Sequence, residues 1–136
     1  MTGVKQSGTQ VGAFAYDGDG KRVKGVVNGV TTIYPGNYFE WTGSTTTMKK
    51  YYSAGGKLFA MREGAGASTN GLRWILSDHL GSTTRTVDAG SLSVLSDQRY
   101  RPWGEMYDNN GSSGTSIRYI GQRHEAYINL LDFNAR

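Results

Sequence analysis

The chain has 136 residues, no cysteine and 20 glycines, and its formal net charge is +4. This length fits one domain or a part of a larger protein, and a chain without cysteine has neither disulfides nor thiolate metal sites. The basic residues are scattered, so we interpret them as a solvated surface and expect no nucleic-acid partner, since nucleic-acid binders gather such residues on one face. Strand alternation could still collect some of them on one side, which leaves weak affinity for polyanions open.

The order of residue types along the chain favours strands over helices. Residues 1–10 are polar, lack the apolar core of a signal peptide and look like a flexible arm. Residues 11–136 are interpreted as a single β-rich domain, because turn residues recur throughout and no stretch keeps a 3.6-residue apolar period. With aromatic and β-branched residues between glycine turns, this pattern predicts an all-β, antiparallel, hairpin-rich fold. No window is long and apolar enough for a membrane span.

The clearest local signal is Asn28-Gly29, which stands between two runs of β-branched residues. Asn-Gly in this setting predicts a two-residue hairpin turn with positive φ at both positions. Further turns are predicted, from the same Gly and Asp chemistry, at Tyr16-Asp17-Gly18-Asp19-Gly20, Ala54-Gly55-Gly56 and Asp88-Ala89-Gly90.

The remaining segments have weaker signals. Residues 63–71, rich in Gly, Ala and Ser, are expected to form a mobile loop, and residues 108–116 a long polar loop. Short strands are expected at 117–120 and 127–133. Residues 124–131 are the one place where a single helical turn is compatible with the pattern.

Several motifs occur in a fixed order along residues 14–136. They are Tyr16-Asp17-Gly18 with the basic residues after it, residues 51–62, Asp78-His79-Leu80-Gly81-Ser82, Tyr100-Arg101-Pro102-Trp103-Gly104-Glu105, Arg118-Tyr119-Ile120-Gly121-Gln122-Arg123, and a tail at 128–136 that ends in Asn134-Ala135-Arg136. In this order they resemble the repeat unit and core signatures of the rearrangement-hotspot (RHS), or YD-repeat, family.

The resemblance implies a structural β-protein and not an enzyme. Family members are far longer, and their repeats spiral into a hollow β-shell around a C-terminal cargo, which many members release by self-cleavage beyond the Asn-Ala-Arg element. This sequence stops at Arg136, so neither the self-cleaving activity nor a cargo is carried over. We expect the chain to correspond to the terminal part of such a shell, since 136 residues are too few to close one.

Some residue types could form a catalytic, metal-binding or cofactor-binding site, but each also fits a structural role. Asp78, His79 and Ser82 are the types of a catalytic triad, but neighbours in a strand point to opposite faces. We therefore interpret Asp78 and Ser82 as side chains that bond turn backbone, with His79 packed or exposed. His124-Glu125 lacks further metal ligands, and no glycine-rich loop joins a strand to a helix, so we expect no metal and no cofactor.

The function predicted from the residues and the resemblance is a structural module that associates through strand edges. Uncovered edges template further strands, so we expect a homo-oligomer or, where unlike edges meet, an open filament; other RHS-type segments are alternative partners. The competing hypothesis is a carbohydrate- or cell-surface-binding module that uses Trp41, Trp74, Trp103 and the tyrosines, which otherwise form core and cross-strand contacts. The family suggests an extracellular or cell-surface location; the residues themselves assign none.

Overall fold

The computed structural model describes residues 2–133. Within them the chain has no α-helix and forms β-strands joined by turns, with short 3₁₀ turns at Gly36–Tyr38 and Tyr119–Gly121. The strands are β1 (Thr2–Gln6), β2 (Thr9–Tyr16), β3 (Arg22–Val27), β4 (Val30–Ile33), β5 (Phe39–Glu40), β6 (Lys49–Ala54), β7 (Lys57–Glu63), β8 (Leu72–Ser77), β9 (Thr83–Asp88), β10 (Val94–Tyr100), β11 (Met106–Gly111), β12 (Arg123–Glu125) and β13 (Leu130–Asp132). The predicted antiparallel all-β fold is confirmed. None of the helical segments in this part of the chain has the length and hydropathy needed to cross a membrane.

The strands form a ribbon whose order follows the chain. Strands β1 to β4 make one antiparallel sheet and β5 to β11 a second. The two sheets are joined by a bridge in which Ile33 and Trp41 exchange backbone hydrogen bonds of 2.8 and 2.9 Å. The third sheet is the β12–β13 hairpin. The ribbon therefore begins at β1 and ends at β11.

Two-residue turns build the tightest hairpins. Asn28 and Gly29 have φ of 48° and 76°, and Val27 pairs with Val30 across them, so the predicted turn with positive φ at both residues is confirmed. Gly55-Gly56 and Ser7-Gly8 have the same signs of φ. In these turns the twist of the backbone matches that of the strands, which explains why consecutive strands pair.

The apolar core is small. Tyr51, Met61 and Ile75 form a buried cluster, against which the half-buried Leu58 and Ile117 pack. Burial of one such side chain contributes about 1.5–3 kcal/mol, so a cluster of this size leaves much of the stabilisation to other interactions.

Hydroxyl and amide side chains fill the interior next to this cluster. Ser82, Thr86, Ser96 and Gln98 are at most 2% exposed. The hydroxyls of Thr86 and Ser96 hydrogen-bond at 2.8 Å, and the hydroxyl of Tyr100 donates to Gln98 Oε1 at 2.9 Å. Because buried polar groups are costly unless they are paired, these bonds fix which residues face each other inside the ribbon.

The predicted N-terminal arm is wrong. Residues 2–6 form β1 and pair with β2 around the Ser7-Gly8 turn, and the predicted boundary between residues 10 and 11 falls inside β2. Strand pairing uses backbone groups, so a polar segment can form an edge strand wherever a turn returns it to a neighbour.

Three expectations for the C-terminal part are also wrong. Residues 106–111 form β11 on the edge of the second sheet, where solvent-exposed Asp and Asn are tolerated, so the predicted loop at 108–116 starts later than expected. The strand expected at 117–120 is replaced by a turn in which Ile120 has φ of 50°. Residues 124–131 contain the β12–β13 turn and no helical turn.

Candidate functional site

One hydrogen-bond pattern recurs in four turns. In each, the N–H of the first residue donates to the carbonyl of the residue four positions on, and the N–H of a glycine three positions on donates to the carbonyl of the first residue. The glycines all have positive φ. This pattern is that of a three-residue hairpin loop closed by a glycine bulge. The turns span 17–21, 78–82, 101–105 and 118–122, and their glycines are Gly20, Gly81, Gly104 and Gly121.

Aspartate side chains complete two of these turns. Asp17 Oδ1 accepts the backbone N–H groups of Asp19 and Lys21 at 3.0 and 2.8 Å. Asp78 Oδ1 accepts those of Leu80 and Ser82 at 2.9 and 2.8 Å. The two aspartates thus have the same role, which is to satisfy turn N–H groups that no strand partner reaches.

The geometry of Asp78, His79 and Ser82 is that of a turn. The carboxylate of Asp78 faces turn N–H groups, the side chain of His79 is exposed, and the buried hydroxyl of Ser82 accepts the N–H of Ile120 at 3.1 Å. No group of His, Asp and Glu side chains among residues 2–133 has the arrangement of a metal site.

Three of the four glycine turns meet in space. Turn 118–122 contacts turn 78–82 through the bond from Ile120 to Ser82, and the N–H of Thr83 donates to the carbonyl of Arg118 at 3.1 Å. It contacts turn 101–105 through the hydroxyl of Tyr119, which donates to the carbonyl of Pro102. The motifs that resemble the RHS core are therefore neighbours, and turn 118–122 lies between the other two.

Tyrosine rings and one glycine close this contact. The rings of Tyr100 and Tyr119 lie 5.8 Å apart at 49°. The carbonyl oxygen of Thr83 lies 2.9 Å from the hydroxyl of Tyr100 and shares the one proton of that hydroxyl with Gln98 Oε1. Gly104 has φ of +86°, and a Cβ there would lie 2.7 Å from Tyr119 Cδ1 and 2.9 Å from Leu131 Cδ1. Glycine is thus required at 104 both by φ and by close approach.

A buried ion pair joins the second sheet to the C-terminal hairpin. Arg123 Nη1 of β12 bonds to Glu40 Oε1 of β5. The same carboxylate oxygen accepts the hydroxyls of Tyr51 at 2.8 Å and Ser116 at 2.9 Å. The guanidinium carbon of Arg123 lies 4.4 Å from the centroid of the Tyr34 ring, a cation–π contact.

A second buried ion pair joins the first sheet to the same hairpin. Arg22 of β3 bonds to Glu125 of β12 and, at 2.8 Å, to Asp132 of β13. Its guanidinium carbon lies 4.1 Å from the centroid of the Phe14 ring. We call Glu40, Arg123, Arg22, Glu125 and Asp132 the charge layer. It connects all three sheets at the base of the C-terminal hairpin.

The contacts around the charge layer change the pKa values of Glu40, Arg123 and the neighbouring Tyr51. Burial by itself raises the pKa of Glu40, but attraction to Arg123 and hydrogen bonds from Arg123 and Tyr51 outweigh it, so the pKa lies below its ordinary value. Burial lowers the pKa of Arg123, but the charge of Glu40, the hydrogen bond to it and the nearby Tyr51 and Tyr34 together outweigh this, so the pKa lies above its ordinary value. Burial, reinforced by Glu40, raises the pKa of Tyr51. Glu40 and Arg123 therefore keep their charges, and Tyr51 stays neutral, over a wide pH range.

Two of the cavities beside these contacts also reach the motif turns. One, of about 370 Å³, lies beside the charge layer, and its lining includes Arg22, Arg123, Lys57 and Gln122. The other, of about 420 Å³, lies between turn 101–105 and the C-terminal hairpin. The indole of Trp103 at its rim is 91% exposed.

The structure separates the remaining motif residues into two groups. Tyr16-Asp17-Gly18 and Asn28-Gly29 lie at turns of the first sheet and belong to none of the three turns that meet. Asn134, Ala135 and Arg136 lie outside the described residues. The charge layer was missed by sequence reasoning, although Arg123 lies within a motif. A usable signal was Glu40, an acid between the aromatic residues Phe39 and Trp41.

The fold is that of an antiparallel, RHS-like β-ribbon, and solved structures share it. A crystal structure of TcdB2-TccC3 superposes with a TM-score of 0.69 at 20% identity, covering 98% of this chain and 8% of that chain. A TcdB2-TccC3 structure without the hypervariable C-terminal region gives 0.68 at 18% identity, covering 98% and 7%. The Photorhabdus luminescens Tc holotoxin pore gives 0.68 at 20%, covering 96% and 7%.

At 18–20% identity the likeness shows the fold, which is consistent with the RHS-like fold that the motifs predict. This chain spans less than a tenth of the length of these solved chains. No protein-family model matches the chain, and no curated protein matches it in sequence.

Proposed function

We propose that the chain is a structural β-module, a segment of an RHS-type shell that assembles through the edges of β1 and β11. The observation that carries the proposal is the ribbon itself. Among residues 2–133, β1 pairs only with β2 and β11 only with β10, so each end of the ribbon has one side without a strand partner. The unpaired N–H and C=O groups of such an edge are ready to add a strand.

Both edges have the composition of accessible strands. Every residue of β1 is exposed except the half-buried Val4, and every residue of β11 is exposed except the half-buried Met106. Neither strand contains proline, which would block pairing, and each contains one charged residue, Lys5 or Asp108. These features leave both edges able to accept a partner strand.

The direction of the strands decides which edges fit each other. Every neighbouring pair in the ribbon is antiparallel, including the bridge between Ile33 and Trp41, so β1 and β11 run in the same direction. Joining copies head to tail would therefore place β11 beside β1 in parallel. Two-fold pairing of like edges gives antiparallel ladders, which are slightly more stable. Pairing at both edges then produces an open filament, and pairing at one edge a dimer.

The proposal assigns no catalytic role. Asp78, His79 and Ser82 are the residues of a turn, as their hydrogen bonds indicate. The same edges suit a strand from another RHS-type segment, because the pairing uses backbone groups. We place the module outside the cell or on its surface, by analogy with the Tc holotoxin chains that share the fold.

Light scattering and electron microscopy on the intact chain show whether it assembles. Proline variants of β11 show whether assembly uses that edge. Along a strand, consecutive N–H groups point to opposite sides, so only one of Asn109 and Asn110 donates toward β10. Proline at the other position spares the hairpin. We expect one of Asn109→Pro and Asn110→Pro to keep the melting temperature and reduce assembly through β11. A monodisperse species of 14.8 kDa for the intact chain at high concentration refutes assembly.

A ligand-binding role is the second candidate. One observation favours it, which is the 91% exposure of Trp103 at the rim of a cavity. Large aromatic side chains that project into solvent are more common in binding surfaces than on inert ones.

A further inference from the structure

The cavity of about 420 Å³ beside turn 101–105 has the size of a small-ligand site. It lies between that turn and the β12–β13 hairpin, and its lining includes Trp103, Met106, Arg118, His124, Asn129 and Leu131. It is separate from the charge layer, none of whose members lines it.

Two polar atoms of the lining are buried without a partner. They are Nε of Arg118 and Nδ1 of His124. Buried polar atoms in folded proteins nearly always have a partner, and one without a partner marks a place where a ligand or a water belongs. The two side chains line the same cavity, but these two atoms are themselves shielded from solvent, so a ligand reaches them only when the side chains turn toward it.

Arg118 lacks the anion that the buried arginines of the charge layer possess. Arg22 and Arg123 each contact a carboxylate. Among the described residues, Arg118 makes no ion pair, and its Nη1 donates only to the sulfur of Met106 at 3.6 Å. A half-buried guanidinium with a thioether as its partner is suited to bind a carboxylate, whose two oxygens match its fork of donors.

His124 adds the opposite hydrogen-bonding capacity. Its Nε2 lies 3.1 Å from Asn129 Oδ1, an oxygen that can only accept. Nε2 therefore carries the proton, and in the neutral imidazole Nδ1 is an acceptor. Arg118 thus has an unused donor and His124 an unused acceptor beside the cavity, and the acceptor suits a hydroxyl group once the side chain turns toward it.

Trp103 supplies a flat apolar surface at the rim. With its indole 91% exposed, both hydrophobic area and ring face are open to a ligand. The one carboxylate at the rim, Glu105, lies 3.3 Å from Arg101 Nη1, which reduces its repulsion of an anion. The net charge of +4 also favours approach of an anion.

We propose that this cavity binds a carboxylated sugar of the hexuronic acid type. The sugar carboxylate accepts hydrogen bonds from the guanidinium of Arg118, the apolar face of the pyranose stacks on Trp103, and a ring hydroxyl meets the side chain of His124. An acidic peptide also supplies a carboxylate, but it lacks a rigid ring that places a hydroxyl beside that carboxylate and an apolar face against the indole.

Isothermal titration calorimetry on the intact chain at low ionic strength tests the proposal with three probes. These are a galacturonic acid trimer, a galactose trimer and a triglutamate peptide. We expect saturable binding of the galacturonate trimer that weakens as salt is added, and affinity for the other two probes lower by about tenfold or more, the loss expected for a missing charged hydrogen bond or ring contact.

Substitutions with matched controls locate the site. Trp103→Ala and Arg118→Gln should each weaken galacturonate binding by about tenfold or more. Trp74→Ala and Arg99→Gln change the same residue types away from the cavity. They should leave the affinity for the galacturonate trimer unchanged within about twofold. Trp103 is too exposed for its loss to unfold the chain, so its variant remains informative if Arg118→Gln does not fold. The proposal is overturned if the intact chain does not bind the galacturonate trimer, if triglutamate or the galactose trimer binds as tightly, or if Trp103→Ala binds like the unmodified chain.

Discussion

Arg123 and Glu40 form a buried ion pair although 83 positions separate them in the chain. The carboxylate oxygen of Glu40 that contacts Arg123 also accepts the hydroxyls of Tyr51 and Ser116. A buried pair is stable only when additional hydrogen bonds offset the loss of water, and these two hydroxyls have that role. The pair therefore holds the β12–β13 hairpin against the second sheet in one position.

Removing Arg123 should destabilise the fold strongly. Arg123→Met leaves the carboxylate of Glu40 buried without its counter-ion, and breaking a buried pair in this way costs about 3–5 kcal/mol. Urea denaturation measures the loss as a lower midpoint. The matched control is Arg101→Met, which removes the exposed pair with Glu105 and should cost no more than about 1 kcal/mol. Equal losses in the two variants would show that the charge layer does not hold the hairpin.

The dependence of stability on pH should identify Glu40 as one of the groups responsible for acid unfolding. Its pKa in the folded chain lies below the ordinary value of 4.5, so on acidification the unfolded chain takes up this proton first. The contribution is complete above that value and is lost as the pH falls through the folded pKa. In Glu40→Gln, the free energy of unfolding should depend less steeply on pH below about 4.5, by up to about 1.4 kcal/mol per pH unit. Parallel pH profiles for the two proteins would contradict this assignment.

The hairpins could be predicted from the sequence, whereas the charge layer could not. A two-residue turn such as Asn28-Gly29 depends on its own φ values, which residue type alone determines. The contact of Glu40 with Arg123 depends on where the C-terminal hairpin folds back on the ribbon, and no local pattern encodes that position. The alternation around Glu40 indicates at most that its side chain points to the opposite face of the strand from its two aromatic neighbours.

The expectations of a strand at 117–120 and of a helical turn at 124–131 failed for a related reason. Ile117 and Ile120 are apolar and β-branched, which favours a strand, yet Ile120 has φ of 50°. Its N–H is bonded to Ser82, a residue far away in the sequence, and this tertiary contact overrides the local propensity. Polar edge strands are missed for the opposite reason, since β1 and β11 have little apolar alternation to detect.

Asn28-Gly29 provides a direct test of the turn conformation. Gly29 has φ of +76° with open space around its Cα, so Gly29→Val adds no clash but forces a β-branched residue into the left-handed region. We expect a loss of more than about 1 kcal/mol in the free energy of unfolding. Gly18→Val is the control, because Gly18 also has open space but lacks a positive φ. A loss for Gly18→Val as large as for Gly29→Val would mean that backbone strain is not the cause.

The turn at 78–82 should respond to substitution as a structural element. Ser82→Ala removes the acceptor of the Ile120 N–H and should cost about 1–3 kcal/mol, the penalty of a buried donor without a partner. His79→Ala removes an exposed side chain of the same turn and should change stability by no more than about 0.5 kcal/mol. Thermal unfolding of both variants checks the pair. If His79→Ala abolished an activity or the assembly while its melting temperature stayed the same, the structural interpretation of this turn would be wrong.

Alanine substitutions at Gly104 and Gly81 distinguish the cost of close packing from the cost of backbone strain. Both glycines occupy the same position of the same turn type, with φ of +86° and +87°, but a Cβ at 104 would meet Tyr119 and Leu131 while a Cβ at 81 would meet open space. Alanine at either position carries the cost of the left-handed conformation, about 1 kcal/mol. Gly104→Ala must in addition displace the Tyr119 ring and Leu131, and overpacking of this kind costs about 1–3 kcal/mol more. Chemical denaturation of the two variants measures the difference directly. If turn 101–105 is pressed against the C-terminal segment as the distances indicate, Gly104→Ala loses clearly more stability than Gly81→Ala. Equal losses would mean that turn 101–105 does not pack on Tyr119 and Leu131 in solution.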